Sequence, residues 1–210
     1  MNALRRAARR ATLGAAVLIA LLALTLLLFL LPPVVHALLT LASAPKLLGV
    51  EAPTVFAISD SLVRDLLFGG TFEAQLGDEV FLSAAERAHL VDVSVLFRTL
   101  VVFGAGALAL LSVIAARRKP WLLQGIRDGA VLLGVGAVLV GGALLFAFDA
   151  TFTAVHQLLF PAGTWTFNPA TDHLVQLYPE NFWVAAAIGF CAVLIATAVV
   201  GLRATRRRRR

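Results

Sequence analysis

The sequence predicts an all-α membrane protein: a four-helix transmembrane bundle, both termini cytoplasmic, with a small extracytoplasmic cap of mixed structure. Two observations carry that prediction. The first is an excess of apolar residues. With 60% of its 210 residues hydrophobic and a mean hydropathy of +0.90, the chain has more apolar surface than one soluble core of this length hides, so lipid is part of its solvent. The second is the segregation of charge between alternate connections, which sets an orientation.

Four stretches, 11–31, 95–116, 129–148 and 183–202, are close to the length of about 20 residues that carries a helix across a hydrocarbon layer of roughly 30 Å. Open sheets leave backbone groups unpaired in lipid, so these spans are helices. The basic residues Arg5, Arg6, Arg9 and Arg10 lie in the N-terminal segment 1–10. Arg117, Arg118, Lys119 and Arg127 lie in the loop 117–128, and Arg203 and Arg206 to Arg210 in the tail 203–210. These fourteen of the eighteen Lys and Arg residues fall on one side, which the positive-inside rule makes cytoplasmic. Eleven of the twelve acidic residues fall on the other side, Asp128 being the exception.

The net charge of +6 does not point to nucleic acid, because no helix-turn-helix, zinc-finger or aromatic RNA-binding pattern accompanies it. A single cysteine, Cys191, excludes an internal disulfide and a cysteine-based metal cluster. No cofactor motif is present: there is no H-E-x-x-H and no P-loop. The N-terminal arginines, the apolar run and Ala42-Ser43-Ala44 resemble a secretory signal, but the run is too long for one, and an uncleaved anchor is expected. Pro32-Pro33 marks where the first helix stops or kinks.

The cap is expected from two segments, 32–94 and 149–182. Between Phe56 and Phe81, short apolar runs mixed with turn residues leave helix and strand both open. Ser83-Ala84-Ala85-Glu86 is a capping box, in which hydroxyl and carboxylate each satisfy an orphan N–H at a helix start. The second membrane helix therefore begins at Ser83, ahead of the apolar run. Tyr178-Pro179-Glu180 opens the fourth, with proline where no donor is needed and glutamate on the positive end of the dipole. Gly125, Gly129, Gly134 and Gly136 are expected to allow close helix packing.

All four histidines, His36, His89, His156 and His173, fall on the extracytoplasmic side. His36 and His173 read as ordinary interfacial residues. His89 and His156 lie just outside the ends of spans two and three, where their side chains can share one site. Glu86 and Asp92 flank His89 at three residues on either side, so either carboxylate can share its helix face and orient the ring. Half of the eighteen aromatic residues cluster around the third connection. An interfacial belt explains several of them, but Phe160, Trp165 and Phe167 sit mid-loop, as if enclosing a greasy pocket beside His156. No serine has a nucleophile-elbow context, and a thiolate at Cys191 would be poorly solvated inside a span.

Two stretches then resemble a known family: LSAAERAHLVDVSVLF over 82–97, and VHQLLFPAGTWTF over 155–167, continuing through Asp172 and Leu174 to LYPENF over 177–182. Both are similar to signature regions of the bacterial integral membrane family that includes the lipoprotein intramolecular transacylase. The likeness extends to span number, topology and loop lengths, and it departs at Ser94, where a basic residue often follows Asp-Val. The resemblance implies residence in the bacterial cytoplasmic membrane, four helices under an extracytoplasmic cap, and catalytic histidines at His89 and His156. It further implies an intramolecular acyltransferase acting on diacylated lipoproteins, with membrane lipid as the other partner, no cofactor or metal, and no covalent intermediate. Glu86, Asp92, Asp172, Tyr178 and Glu180 are candidates for orienting the histidines or contacting substrate, and Phe152, Phe160, Trp165, Phe167 and Phe182 for an aromatic pocket. Two other readings stand beside it. One is a metal-dependent hydrolase using histidines with Asp92, Asp149 or Asp172. The other is a non-enzymatic scaffold whose cap binds a partner.

Overall fold

A computed structural model of the chain describes residues 2–117 and 121–207; Arg118, Lys119 and Arg208 to Arg210, of the predicted loop and tail, lie outside them. Four long helices account for the apolar stretches: α1 (Asn2–Phe29), α5 (Ala84–Ala116), α6 (Leu122–Phe146) and α9 (Glu180–Arg207). Each is long and apolar enough to cross a membrane. Between α1 and α5 come α2 (Pro32–Leu41), α3 (Ala44–Leu48), α4 (Ala52–Phe68) and a hairpin of β1 (Gln75–Leu76) and β2 (Glu79–Val80). Between α6 and α9 come α7 (Phe148–Leu159) and α8 (His173–Leu177).

The described residues fall into two compact units. The first holds residues 2–27, 100–142 and 189–207, and its packing depends on small residues. A β-carbon on Gly125 would come within 2.5 Å of Leu13 Cβ, and one on Gly129 within 2.7 Å of Val17 Cβ, so α1 and α6 approach as closely as glycine permits. Gly134 faces Ala198 at 3.3 Å, whereas Gly136 faces open space, so Gly136 has no part in the packing expected of it. Asp128, the acidic exception, is held by Arg10 through hydrogen bonds of 2.9 and 3.2 Å.

The second unit holds residues 28–99 and 143–188. Its core is Leu39, Val55, Leu62, Phe72, Phe81, Leu82 and Leu177. Pro32 starts α2 after the extended Leu31, so the proline pair ends one helix and begins another. Ala42 and Ala44, of the signal-like tripeptide, are buried in the core. The segment left open between helix and strand contains both: α4 runs to Phe68, Gly69 ends it in the left-handed conformation, and the hairpin turns at Gly77 (φ +65°). Ala147 breaks the helix between α6 and α7.

Helix α5 is 33 residues long, about 50 Å at 1.5 Å per residue, well beyond the roughly 30 Å of a hydrocarbon layer. Its charged residues Glu86, Arg87, Asp92 and Arg98 all precede residues 99–116, which carry none. The leading turns, with His89, are therefore surplus to a span.

Candidate active site

The reciprocal cap forms at the start of α5: Ser83 N–H donates to Glu86 Oε2 at 2.7 Å, and Glu86 N–H to Ser83 Oγ at 3.3 Å. Glu86 Oε1 in turn accepts the N–H of Leu174 at 2.6 Å, and the residue is only 1% exposed. Nearby, His173 Nδ1–H donates to the Phe81 carbonyl while its ring stacks on Phe81 at 4.8 Å. These bonds pin α8 to the beginning of α5 and thereby fix one end of the connection 160–172. They also correct one expectation. Both Glu86 oxygens are committed to backbone donors, so Glu86 positions a loop and does not bond the neighbouring imidazole.

His89 follows on the next turn of α5 and His156 lies near the end of α7; their ring centroids are 6.1 Å apart. Phe160 contacts both, at 4.9 and 5.5 Å. Phe167 lies 5.7 Å from His89, Trp165 5.0 Å from His156, and Phe152 3.9 Å from His156. Four of the five expected pocket aromatics thus surround the two imidazoles. The fifth, Phe182, packs on Tyr178 and Trp183 at 5.0 and 5.2 Å and belongs to the core of the second unit, where its apolar ring is better buried than at the site.

The hydrogen bonds define the chemistry of the rings. His156 Nδ1 lies 2.8 Å from the Phe152 carbonyl; a carbonyl can only accept, so Nδ1 carries the hydrogen and the neutral ring keeps its lone pair on Nε2. His89 is 7% exposed, and its Nδ1 has no hydrogen-bond partner; neither has the buried Nε1 of Trp165. An unpaired buried polar atom costs about 1–3 kcal/mol, so each calls for an explanation, a role in chemistry among them. Burial lowers the His89 pKa below its usual 6.5, and the nearby His156 lowers it further, against a smaller opposing effect of Asp92. Burial also lowers His156, opposed by the bond to Phe152. Both shifts favour the neutral rings.

Of the remaining candidates, Asp92 is exposed and acts on His89 only through its charge. Asp172 accepts from Asn168 N–H at 2.6 Å and from the Thr171 hydroxyl at 3.3 Å, closing the end of the loop. Tyr178 shares a 2.8 Å hydrogen bond with the fully buried Ser59, and burial pushes its pKa up to about 12. It is a core residue that touches neither histidine, because its hydroxyl finds its polar partner on α4. Glu180 is exposed in the first turn of α9. His36 bonds Asp60 at 2.8 Å and stacks on Phe56 at 4.2 Å. Ser94 is buried, and Arg98 donates Nε to its carbonyl at 3.4 Å. Among the described residues, no three His, Cys, Asp or Glu converge as metal ligands, so the aspartates considered for a metal site do not gather around the histidines. Sequence reasoning passed over Thr164 and Thr166, which follow a turn closed by Thr164 N–H on the Pro161 carbonyl at 3.3 Å and flank Trp165 and Phe167, the rings that contact the imidazoles.

A model of the lipoprotein intramolecular transacylase family Lit matches residues 11–183. No curated protein sequence matches the chain. Among solved structures, it is similar to the membrane integral lipoprotein intramolecular transacylase Lit of Bacillus cereus, with TM-score 0.83 at 17% identity, covering 97% of this chain and 95% of that one. A variant of that protein with one histidine replaced by arginine matches with TM-score 0.74 at 15% identity, over 98% and 92% of the two chains. A variant with alanine at the same position gives 0.70 at 15% identity, over 98% and 94%. The structures share the fold, and the family match spans most of the sequence. The chain is a multi-pass membrane protein that belongs to the lipoprotein intramolecular transacylase family, a family of acyltransferases.

Proposed function

We propose that the protein moves the sn-2 acyl chain of a diacylglyceryl-modified N-terminal cysteine to that cysteine's own α-amino group, converting a diacylated lipoprotein to its lyso form. The observation that carries this reading is the His89–His156 pair, 6.1 Å apart within an aromatic enclosure and bearing the unpartnered Nδ1 of His89, in a chain of this family. The charge distribution supports cytoplasmic termini and an extracytoplasmic cap, with the lipoprotein reaching the site from the outer leaflet of the bacterial cytoplasmic membrane.

In the proposed mechanism, the α-ammonium, with a pKa near 8, loses a proton to become nucleophilic. Its nitrogen attacks the ester carbonyl while Nε2 of His156 takes the second proton, and His89 donates a hydrogen bond to the oxyanion. The C–N bond forms, the ester C–O bond breaks, and the proton taken up by His156 passes to the departing glyceryl oxygen, which returns both rings to their neutral forms. Amine and ester belong to one molecule, so no acyl-enzyme is required. The aromatic walls hold the flexible lipid in the ring-closing conformation, an orientation effect worth several kcal/mol.

The test is expression in a bacterium whose lipoproteins carry a free N-terminus, followed by mass spectrometry of the N-terminal lipopeptide. The expected result is an acyl group relocated from glycerol to nitrogen. An unshifted lipopeptide with the protein present in the membrane contradicts the proposal.

A further inference from the structure

Beside the histidine pair lies an open cleft of about 350 Å³. We infer that it seats the first residues of the lipoprotein's polypeptide, just after the lipidated cysteine, an inference that rests on the transacylase reading above. One wall is the face of α5 carrying Ala85 and Ala88; the other is the loop with Thr164, Thr166 and Phe167, and Asp172 also lines it. Phe167 lines the cleft and contacts the His89 ring at 5.7 Å, so the cleft adjoins the place where the cysteine must sit.

Three features fit an extended peptide. The backbone N–H and C=O groups of Thr166 and Phe167 make no hydrogen bond among the described residues, which leaves them open to pair with an added chain. Ala85 and Ala88, three residues apart, share one helix face and are exposed; their methyl groups let another backbone come close without a clash. The cleft also opens to solvent at Thr164 and Thr166, where the folded part of a lipoprotein must continue. Alanine methyls and Phe167 alternate in the lining with the hydroxyls of Thr164 and Thr166 and the unpaired backbone groups, a mixture that suits a peptide, itself part apolar and part polar, better than a bare acyl chain.

The test uses the full chain reconstituted in phospholipid vesicles with three synthetic substrates: a diacylglyceryl-cysteine amide, the same cysteine extended by five residues, and that lipopeptide with single backbone amides N-methylated in turn. For the wild type, the extended substrate should have the higher kcat/KM. N-methylation at one of the first positions should lower it about tenfold, as expected for loss of one well-made hydrogen bond. In Ala85→Phe the ratio between extended and unextended substrates should fall toward one. A flat N-methyl scan with no advantage for the extended substrate overturns the inference while leaving the transacylase reading intact. Turnover of neither substrate overturns that reading and the inference with it. The scan is read on the wild type, so it decides even where Ala85→Phe does not fold.

Discussion

His36 and His89 are both histidines of the second unit that pack against phenylalanine rings, yet their nitrogens are treated in opposite ways. On α2, His36 gives Nε2 to Asp60 at 2.8 Å and lies flat on Phe56; its polar edge is satisfied by the fold. On α5, His89 is more deeply buried, has aromatic neighbours on several sides and leaves Nδ1 unpaired. His156 is tied at one nitrogen only, to its own helix. His36 and His156 are thus each bonded at one nitrogen, and the difference lies in His89, a buried ring with an unpaired nitrogen facing a second imidazole, on which the proposed role of the pair rests.

The largest effect that sharpens this contrast is on turnover. His89→Ala and His156→Ala should each lower kcat by about 10²–10⁴-fold, the usual range for a general acid or base, with the helical circular dichroism unchanged. His36→Ala should change kcat by no more than about twofold. Equal losses at His36 and His89 would erase the distinction.

Next comes the clamp that shapes the site. Glu86→Ala leaves the amides of Ser83 and Leu174 without their acceptor and should cost about 2–4 kcal/mol, read as a lowered midpoint of unfolding in detergent. Glu86→Gln should recover part of it, since its oxygen can still accept one of the two donors.

The pH profile separates the pair more finely. Both site imidazoles have pKa values lowered by burial, so the neutral forms persist into acid. Beneath the limb near 8 that the substrate's own α-ammonium imposes, the imidazoles should therefore add a further loss of rate only as pH drops through values below 6.5, the ordinary histidine value. A limb between 6.5 and the amine's, abolished by His156→Ala in a single-turnover assay, would mean that the active imidazoles are not the buried ones. The smallest effect is expected at the satisfied histidine: Asp60→Asn breaks a part-exposed pair and should shift stability by under about 1 kcal/mol in the same unfolding measurement.

Local signals proved legible where one stretch of chain contains both partners. The cap of α5 could be read from Ser83 and Glu86 because they lie three residues apart, and the proline break at Pro32 because proline acts on its own backbone. Long-range partners were not legible. The bond from Glu86 to Leu174 spans 88 positions, so the sequence offered Glu86 as a mate for its neighbour His89, when a backbone donor far along the chain held it more tightly. Tyr178 and Phe182 belong to a motif that abuts the site in sequence, but Tyr178 finds Ser59 119 positions away and draws Phe182 into the same core. The pairing of His89 with His156 was legible for a different reason: both fall at ends of apolar stretches, and a bilayer sets such ends at a common depth. The helix and hairpin between Phe56 and Phe81 remained open because short apolar runs carry no period long enough to choose between them.

The central claim is that His89 and His156 are neutral at working pH, with the lone pair of His156 on Nε2. Nitrogen-15 NMR of histidine-labelled protein in lipid nanodiscs, titrated with single-histidine substitutions for assignment, tests it most directly. The account predicts His156 as the Nδ1–H tautomer at pH 7 and both site histidines titrating below 6.5. A His156 that carries its hydrogen on Nε2, or either ring protonated at pH 7, would contradict it.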